Sequence, residues 1–126
     1  MFNKEFWTEI KEKNPLAFEE FLGKNNFLYI EKMEFGLAKK SEFEHKDGTI
    51  LVLPEKVCFC ELVYYFDSLG IIIVTDYQTD AVGLIHYCFK INDVYYLQSI
   101  LDRQLAELEA VKRAFDIREK QLKGGE

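Results

Sequence analysis

Cysteine and histidine side chains in the second half of the sequence are of the types that bind soft metal ions or act as nucleophiles. They are Cys58, Cys60, His86 and Cys88. His86 and Cys88 lie two positions apart, so on a strand both would emerge on one face, where a helical cysteine could complete a zinc site or a thiol–imidazole pair. However, the spacing matches no standard zinc motif, and free cysteine is common in protein cores. We therefore favour core packing and expect no metal and no cofactor.

The stretch VCFCELVYYFDSLGIIIVTD determines whether Cys58 and Cys60 can act together. Pro54 can start a helix, and apolar residues at helical spacing follow it at Phe59, Leu62, Val63 and Phe66. Gly70 suits the left-handed position that ends a helix, and the β-branched IIIVT after it predicts a strand. On such a helix the two cysteine side chains project about 200° apart, so we expect them not to share an ion.

The same stretch is apolar enough to raise the question of a membrane span. Glu61 and Asp67 fall inside it, and burying these charges in lipid is costly, so we expect no membrane contact. The first residues, MFNKEFWTEIKEK, are charged and lack the apolar core of a signal peptide. These features predict a cytoplasmic protein with reduced thiols.

Other polar residues do not assemble into a catalytic set. Glu42 and Glu44 could pair on a strand face, but no third group joins them, and charges on an edge strand also prevent edge-to-edge pairing. His45 lies in a charged loop and is most simply a solvated residue. The sequence contains no glycine-rich phosphate loop and no nucleophile elbow. We therefore predict that the protein is not an enzyme, with a small Cys/His-dependent enzyme as one alternative.

Length and charge limit the class of protein further. A chain of 126 residues is typical of a single domain. Its net charge of −6 argues against direct nucleic-acid binding, which relies on clustered basic residues. An acidic chain could instead imitate a nucleic acid and inhibit a basic partner, which is a second alternative.

The N-terminal half is harder to interpret. The residues before Asn14 and those after Pro15 both have helical patterns, which fit two helices or one helix kinked at Pro15. Gly23 would end the second segment. Residues 24–48 contain the short apolar run FLYI, whose structure periodicity does not determine. Lys46-Asp47-Gly48 between SEFEH and TILVL indicates a hairpin.

The C-terminal half predicts a sheet followed by a helix. A turn at Gln78-Thr79-Asp80 would join IIIVTDY to the alternating segment VGLIHYCFKI, and Asn92-Asp93 would lead into a third strand, VYYLQ. Ser99 and Asp102 resemble a capping box for a helix that ends near Leu122. Its core-facing stripe would be Leu101, Leu105, Leu108, Val111 and Phe115, and residues 123–126 should fray.

Tyrosines are the most numerous candidates for an interaction surface. They are Tyr64, Tyr65, Tyr87, Tyr95 and Tyr96. Tyr64 and Tyr65 should leave the core face of their helix, and the other three lie in or beside the hairpin. Exposed together they would form a surface for a partner protein or for a second copy, while the alternative is that they cover the sheet within the monomer.

The stretches LVYYFDSLGIIIV and AELEAVKRAFDIREKQL resemble small uncharacterised proteins of bacterial phages and other mobile elements. In that group an aromatic helix end, of the kind LYDFFDEQGI, leads into a hairpin and then a final helix. The similarity covers Leu62 to Leu122, whereas the Asn92-Asp93 turn and the cysteines are not part of the pattern. The resemblance implies an accessory role and assigns no functional residue.

Together these observations predict an α+β domain with N-terminal helices, a central helix, a small antiparallel sheet and a long C-terminal helix packed on the sheet. The function we expect is that of a non-enzymatic accessory protein acting through protein–protein contacts. A homodimer formed through the aromatic surface or the last helix is one form that such contacts could take.

Overall fold

The computed structural model describes residues 1–44, 46–48 and 50–124. Within them the helices are α1 (Lys4–Lys13), α2 (Pro15–Asn25), α3 (Phe59–Ser68) and α4 (Arg103–Leu122). The strands are β1 (Phe27–Tyr29), β2 (Leu37–Glu44), β3 (Ile50–Glu55), β4 (Ile73–Thr79), β5 (Ile85–Ile91) and β6 (Val94–Ile100). They form two antiparallel sheets, ordered β1-β2-β3 and β4-β5-β6. The predicted α+β class is confirmed. The sequence predicted one small antiparallel sheet, β4-β5-β6, and the described residues form a second one, β1-β2-β3.

The chain divides into two compact units, which are described separately. The N-terminal unit comprises Phe2–Val57 and Arg118–Glu126, and the central unit comprises Cys58–Ile117 with Met1. Helix α4 contributes to both, because its last turn belongs to the N-terminal unit and its preceding turns to the central unit.

Aromatic packing organises the helices of the N-terminal unit. The fully buried ring of Trp7 in α1 stacks on Phe21 in α2 at 5.1 Å and meets the edge of Phe6 at 4.8 Å. The chain forms two helices and not one kinked helix, since Asn14 between them has a non-helical φ of −132°. Gly23 does not end α2. The helix continues to Asn25 because Asn26 adopts the left-handed conformation and its N–H bonds back to Leu22 and Gly23.

The first sheet explains the part of the sequence that periodicity left open. The apolar run becomes β1, which pairs with β2, and β2 pairs with β3 to form the predicted hairpin. Pro54 lies in β3 opposite Ala38, so the expected helix start at Pro54 is wrong. An edge strand tolerates proline because its outward N–H groups need no partner strand.

In the central unit, α3 leads through a glycine into a three-stranded meander. Gly70 has the predicted left-handed conformation, with φ +77°, and the Ile71 N–H bonds to the Phe66 carbonyl at 2.9 Å. The predicted hairpin of β4 with β5 is confirmed, although β4 extends to Thr79 and its turn begins at Asp80. The turn between β5 and β6 is also confirmed, with left-handed φ values of 50° at Asn92 and 67° at Asp93.

Helix α4 begins later than the capping pattern suggested. Ser99 belongs to β6, and Asp102 caps α4 by accepting from the N–H of Gln104 at 2.8 Å. Leu101 therefore precedes the helix and is exposed, Leu105 in the first turn is also exposed, and Leu108 is half-buried, so these three residues of the predicted stripe are not core. The buried residues in this unit's part of α4 are Ala106, Ala110, Val111, Ala114 and Phe115.

Contacts from α4 reach both α3 and the second sheet. The Phe115 ring meets the edge of Phe66 in α3 at 4.9 Å, and the Arg113 guanidinium lies 5.0 Å from the Tyr96 ring centroid in β6. The small alanines allow the helix backbone to approach its neighbours closely. The predicted end at Leu122 is confirmed. Fraying of the tail stays a prediction, because residues 125–126 lie outside the described residues and Lys123 still donates its N–H to the Glu119 carbonyl.

Across the described ranges, no helix is both long and apolar enough to cross a membrane.

Candidate functional site

The two tyrosines of α3 have opposite environments. Tyr64 leaves the core face of the helix, as expected, and is 76% exposed, whereas Tyr65 is 9% exposed and its ring lies edge-on to Phe66 at 5.1 Å. The expectation that Tyr65 leaves the core face is wrong. The buried residues of α3 are Leu62, Tyr65 and Phe66. Tyr65 lies three positions after Leu62, so it falls on the same side of the helix, although the sequence pattern placed it outside the core face.

The tyrosines of the second sheet are divided between its two faces. Phe89 pairs with Tyr96, their rings stack at 5.0 Å, and Tyr87 shares that face two positions away. Tyr95 pairs with Lys90 on the opposite face, where the Lys90 ammonium lies 5.7 Å from its ring centroid. The predicted tyrosines therefore do not form one continuous surface.

A cleft lies on the Tyr87 face of the second sheet, beside the first turns of α4. Its volume is about 420 Å³, and it is lined by Thr75, Asp76, Tyr77, Ile85, Tyr87, Arg103 and Ala106. Tyr77 lies opposite Tyr87 in the strand register and is 61% exposed. The lining combines phenol rings and an aliphatic side chain with the exposed side chain of Arg103, which suits an apolar anchor residue of a binding partner.

Sequence reasoning missed Tyr77, although the signal was present. Tyr77 follows Ile73 and Thr75 at alternating positions of β4, so it had to lie on the same face as the buried Ile73. Its exposure could not be deduced, because it depends on how far α4 extends over that face.

Exposed apolar residues continue from this cleft to the end of the β4–β5 hairpin. We define the hairpin surface as Tyr77, Val82, Leu84, Ile85 and Tyr87. Val82 is 80% exposed, and Leu84 and Ile85 are also exposed. Such a concentration of large apolar side chains on one hairpin is unusual for surface that only contacts water.

Asp80 holds the hairpin loop in one conformation. Its Oδ1 accepts hydrogen bonds from the N–H groups of Val82 and Leu84, each at 3.0 Å, and its Oδ2 lies 2.7 Å from His86 Nε2. The hydrogen bond from His86 is the main cause that lowers the pKa of Asp80, and the two backbone N–H groups also lower it. Hydrogen bonds to the Asp80 side chain thus stabilise the loop conformation, and His86 contacts the same carboxylate.

The outer edge of β4 is partly closed by its own side chain. Asp76 Oδ1 accepts a hydrogen bond from the Tyr77 backbone N–H at 2.8 Å. Because the Tyr77 N–H is already bonded to this side chain, it is not a free donor for the backbone of an added strand.

Charge distinguishes the central unit from the rest of the chain. Cys58–Ile117 contains nine Asp and Glu residues against four Lys and Arg, whereas the N-terminal unit contains thirteen against twelve. The acidic excess of the protein is therefore concentrated in the unit that presents the hairpin surface.

The cysteines form one close pair and one buried residue. Helix α3 begins at Phe59, so Cys58 is its extended N-cap residue and its sulfur lies 3.1 Å from that of Cys60. The expected separation of these side chains around a helix is wrong, because Cys58 lies outside the helix. The hydrogen bond with Cys58 is the main cause that raises the pKa of Cys60 above its usual value. Cys88 is buried in β5, and both cysteines of the pair are exposed.

The remaining sequence candidates are not brought into a metal site. In the part of the chain that the structure describes, no group of three or more His, Cys, Asp and Glu residues could hold a metal ion. His45 lies outside the described residues, as do the side chains of Glu42 and Glu44.

Comparisons of the chain with family models, with curated proteins and with solved structures found no match.

Proposed function

We propose that the protein is a non-enzymatic, cytoplasmic binding domain whose hairpin surface contacts a partner protein of net positive charge. The observation that supports this most strongly is the exposure of Tyr77, Val82, Leu84 and Ile85 on one ordered hairpin. The resemblance to proteins of mobile elements, which implies an accessory role, agrees with the proposal.

The cleft supplies the centre of the proposed contact. Tyrosine and arginine are enriched among the residues that dominate binding energy, because they combine a large contact area with hydrogen-bonding groups. The lining of the cleft includes residues of both types, among them Tyr77 and Arg103. Arg103 Nε is held 3.3 Å from Glu107 Oε1, which limits the side-chain entropy lost on binding.

The charge of the central unit favours a basic partner over a second copy of the chain. With nine carboxylates against four basic side chains, two such units would repel each other as they approached. A positively charged partner would be attracted, and its association would become slower at high salt.

The contact is expected to involve side chains and not strand addition. Strand addition requires free N–H and C=O groups along an exposed edge. On β4 the Tyr77 N–H is already bonded to Asp76, so a partner strand would have to displace that carboxylate. The fastened loop at Asp80 also presents Val82 and Leu84 without a further ordering cost.

Affinity capture with matched variants tests the proposal. Wild-type protein, Tyr77→Asp and Leu51→Asp are used as bait in a cytoplasmic extract, and each captured protein is then purified and tested for direct binding. Leu51 is the matched control, because it is also an exposed apolar residue on an edge strand but lies in the N-terminal unit.

The proposal predicts a basic protein that binds wild type and Leu51→Asp directly and is lost with Tyr77→Asp. Capture that persists with Tyr77→Asp would contradict it. Self-association of the pure chain that Tyr77→Asp abolishes would instead identify a second copy as the occupant. Binding that depends on the carboxylates but not on Tyr77 would favour the nucleic-acid mimic.

A further inference from the structure

The Cys58–Cys60 pair is not used by the proposed contact, and its geometry indicates a separate chemistry. The two sulfurs are 3.1 Å apart on the surface of the central unit. A disulfide bond is about 2.05 Å long, so closing the pair requires an approach of only about 1 Å. From this geometry we infer that Cys58 and Cys60 form a thiol–disulfide exchange site, which reacts stoichiometrically with an external disulfide and is converted to an internal Cys58–Cys60 disulfide.

The start of α3 determines this juxtaposition. Cys58 has extended backbone angles, φ −95° and ψ 165°, whereas Cys60 is already within the first helical turn. The change of direction between the two residues turns their side chains toward each other, although a regular helix would separate them. The Leu62 N–H bonds to the Cys58 carbonyl at 3.3 Å and so attaches the N-cap residue to the helix.

The reaction balances as two successive exchanges. The thiolate of one cysteine attacks a sulfur of the external disulfide, forms a mixed disulfide and releases one external thiolate. The second cysteine, as thiolate, attacks the protein sulfur of that mixed disulfide and releases the other external thiolate. Two protein thiols are oxidised, the external disulfide is reduced to two thiols, and the two protons lost by the cysteines pass to the released thiolates.

An exchange site fits the pair better than a metal site. Structural zinc requires four ligands, and within the described ranges the pair is not part of any group of three or more suitable side chains. Cys88 is 7% exposed, so an external disulfide reaches the pair and not Cys88. Disulfides of reducing compartments are typically transient, as an exposed and easily reversed pair would be.

Exchange with oxidised glutathione tests the inference on the full chain. The reduced protein is equilibrated with defined ratios of oxidised to reduced glutathione, quenched with acid, and analysed by intact-mass and peptide-mapping mass spectrometry. Cys58→Ser and Cys60→Ser each remove one partner, and Cys88→Ser is the matched control. The same equilibrium is measured on the chain unfolded in urea, where any preorganisation of the pair is lost.

Wild type and Cys88→Ser should lose two hydrogens and gain a Cys58–Cys60 bond, whereas each single variant of the pair should stop at the glutathione adduct. The formation constant should be at least about tenfold higher in the native chain than in the unfolded one, a difference of about 30 mV. The inference is overturned by glutathione adducts without internal bonding in wild type, by bonding to Cys88, or by equal constants in the two states. Tyr77→Asp should leave this equilibrium unchanged, so its outcome is independent of the proposed binding function.

Discussion

Glu119 Oε1 accepts a hydrogen bond of 2.8 Å from the backbone N–H of Ala17, which lies 102 positions earlier in the chain. Ala17 is the third residue of α2, where an N-cap side chain would normally accept this bond. Here a carboxylate from the last turn of α4 takes the position of that cap. Its negative charge also complements the positive end of the helix dipole. Both residues belong to the N-terminal unit, so the last turn of α4 contributes a stabilising contact to that unit.

Replacing Glu119 should destabilise the protein. We expect Glu119→Ala to lower the free energy of unfolding by about 2 kcal/mol, because it leaves the α2 terminus without its acceptor and Lys123 without its buried partner. Glu119→Gln should lose less, since an amide oxygen can still accept. Urea unfolding provides the measurement, with Glu19→Gln on the exposed side of α2 as the control. Equal stability of Glu119→Ala and wild type would show that the cap contributes nothing.

A second contact between α4 and α2 should depend on arginine geometry. Arg118 donates through Nε and Nη2 to the two carboxylate oxygens of Glu20, at 2.7 and 2.8 Å. Lysine offers no such paired donors, so we expect Arg118→Lys to lose most of the interaction. A double-mutant cycle of Arg118→Ala with Glu20→Ala should give a coupling energy of about 1 kcal/mol. Additive single-mutant effects would contradict a direct interaction.

The hairpin loop should lose stability in acid. A carboxyl whose folded-state pKa lies below its unfolded value stabilises the fold above the unfolded pKa, and this contribution disappears as pH falls through the folded pKa. Asp80 is such a group, with a pKa below its ordinary 3.8. NMR titration should give a midpoint below that value in wild type and a higher one in His86→Ala, because the His86 hydrogen bond is the main cause of the shift. An unchanged midpoint in His86→Ala would refute that assignment.

Substitutions of the two residues in the turn between β5 and β6 should change the free energy of unfolding in opposite directions. Asp93→Gly should raise the free energy of unfolding by about 0.5 kcal/mol, because Asn-Gly suits a turn with two left-handed residues. Asn92→Ala should lower it by about 1 kcal/mol, since the Asn92 side chain accepts from the Ile72 N–H at 2.8 Å. Thermal unfolding followed by circular dichroism gives both values. If the two substitutions changed stability in the same direction, this description of the turn would be wrong.

Long, periodic elements could be predicted from the sequence because their patterns contain the physical cause of the structure. The β4–β5 hairpin, the Asn92-Asp93 turn and the end of α4 are examples. Helix starts were predicted less well. Pro54 is acceptable both in the first turn of a helix and on an edge strand, and only the pairing with β2 decides between them.

The position of a helix start also determines which side chains meet at the candidate sites. Moving the start of α3 to Phe59 places Cys58 outside the helix and brings two sulfurs together that a helical wheel separates. With α4 starting at Arg103, Leu101 lies before the helix and is exposed, and Arg103 in the first turn lines the cleft. A shift of a few residues does not alter the fold class, but it changes which side chains meet.

The most direct test of the proposed function is the dissociation constant of the purified protein with its captured basic partner. Wild type, Tyr77→Ala and Leu51→Ala would be compared by calorimetry at low and at physiological salt. We predict that Tyr77→Ala weakens binding by about tenfold or more, that Leu51→Ala stays within about twofold of wild type, and that salt weakens all three. A dissociation constant for Tyr77→Ala equal to that of wild type would contradict a contact centred on the hairpin surface.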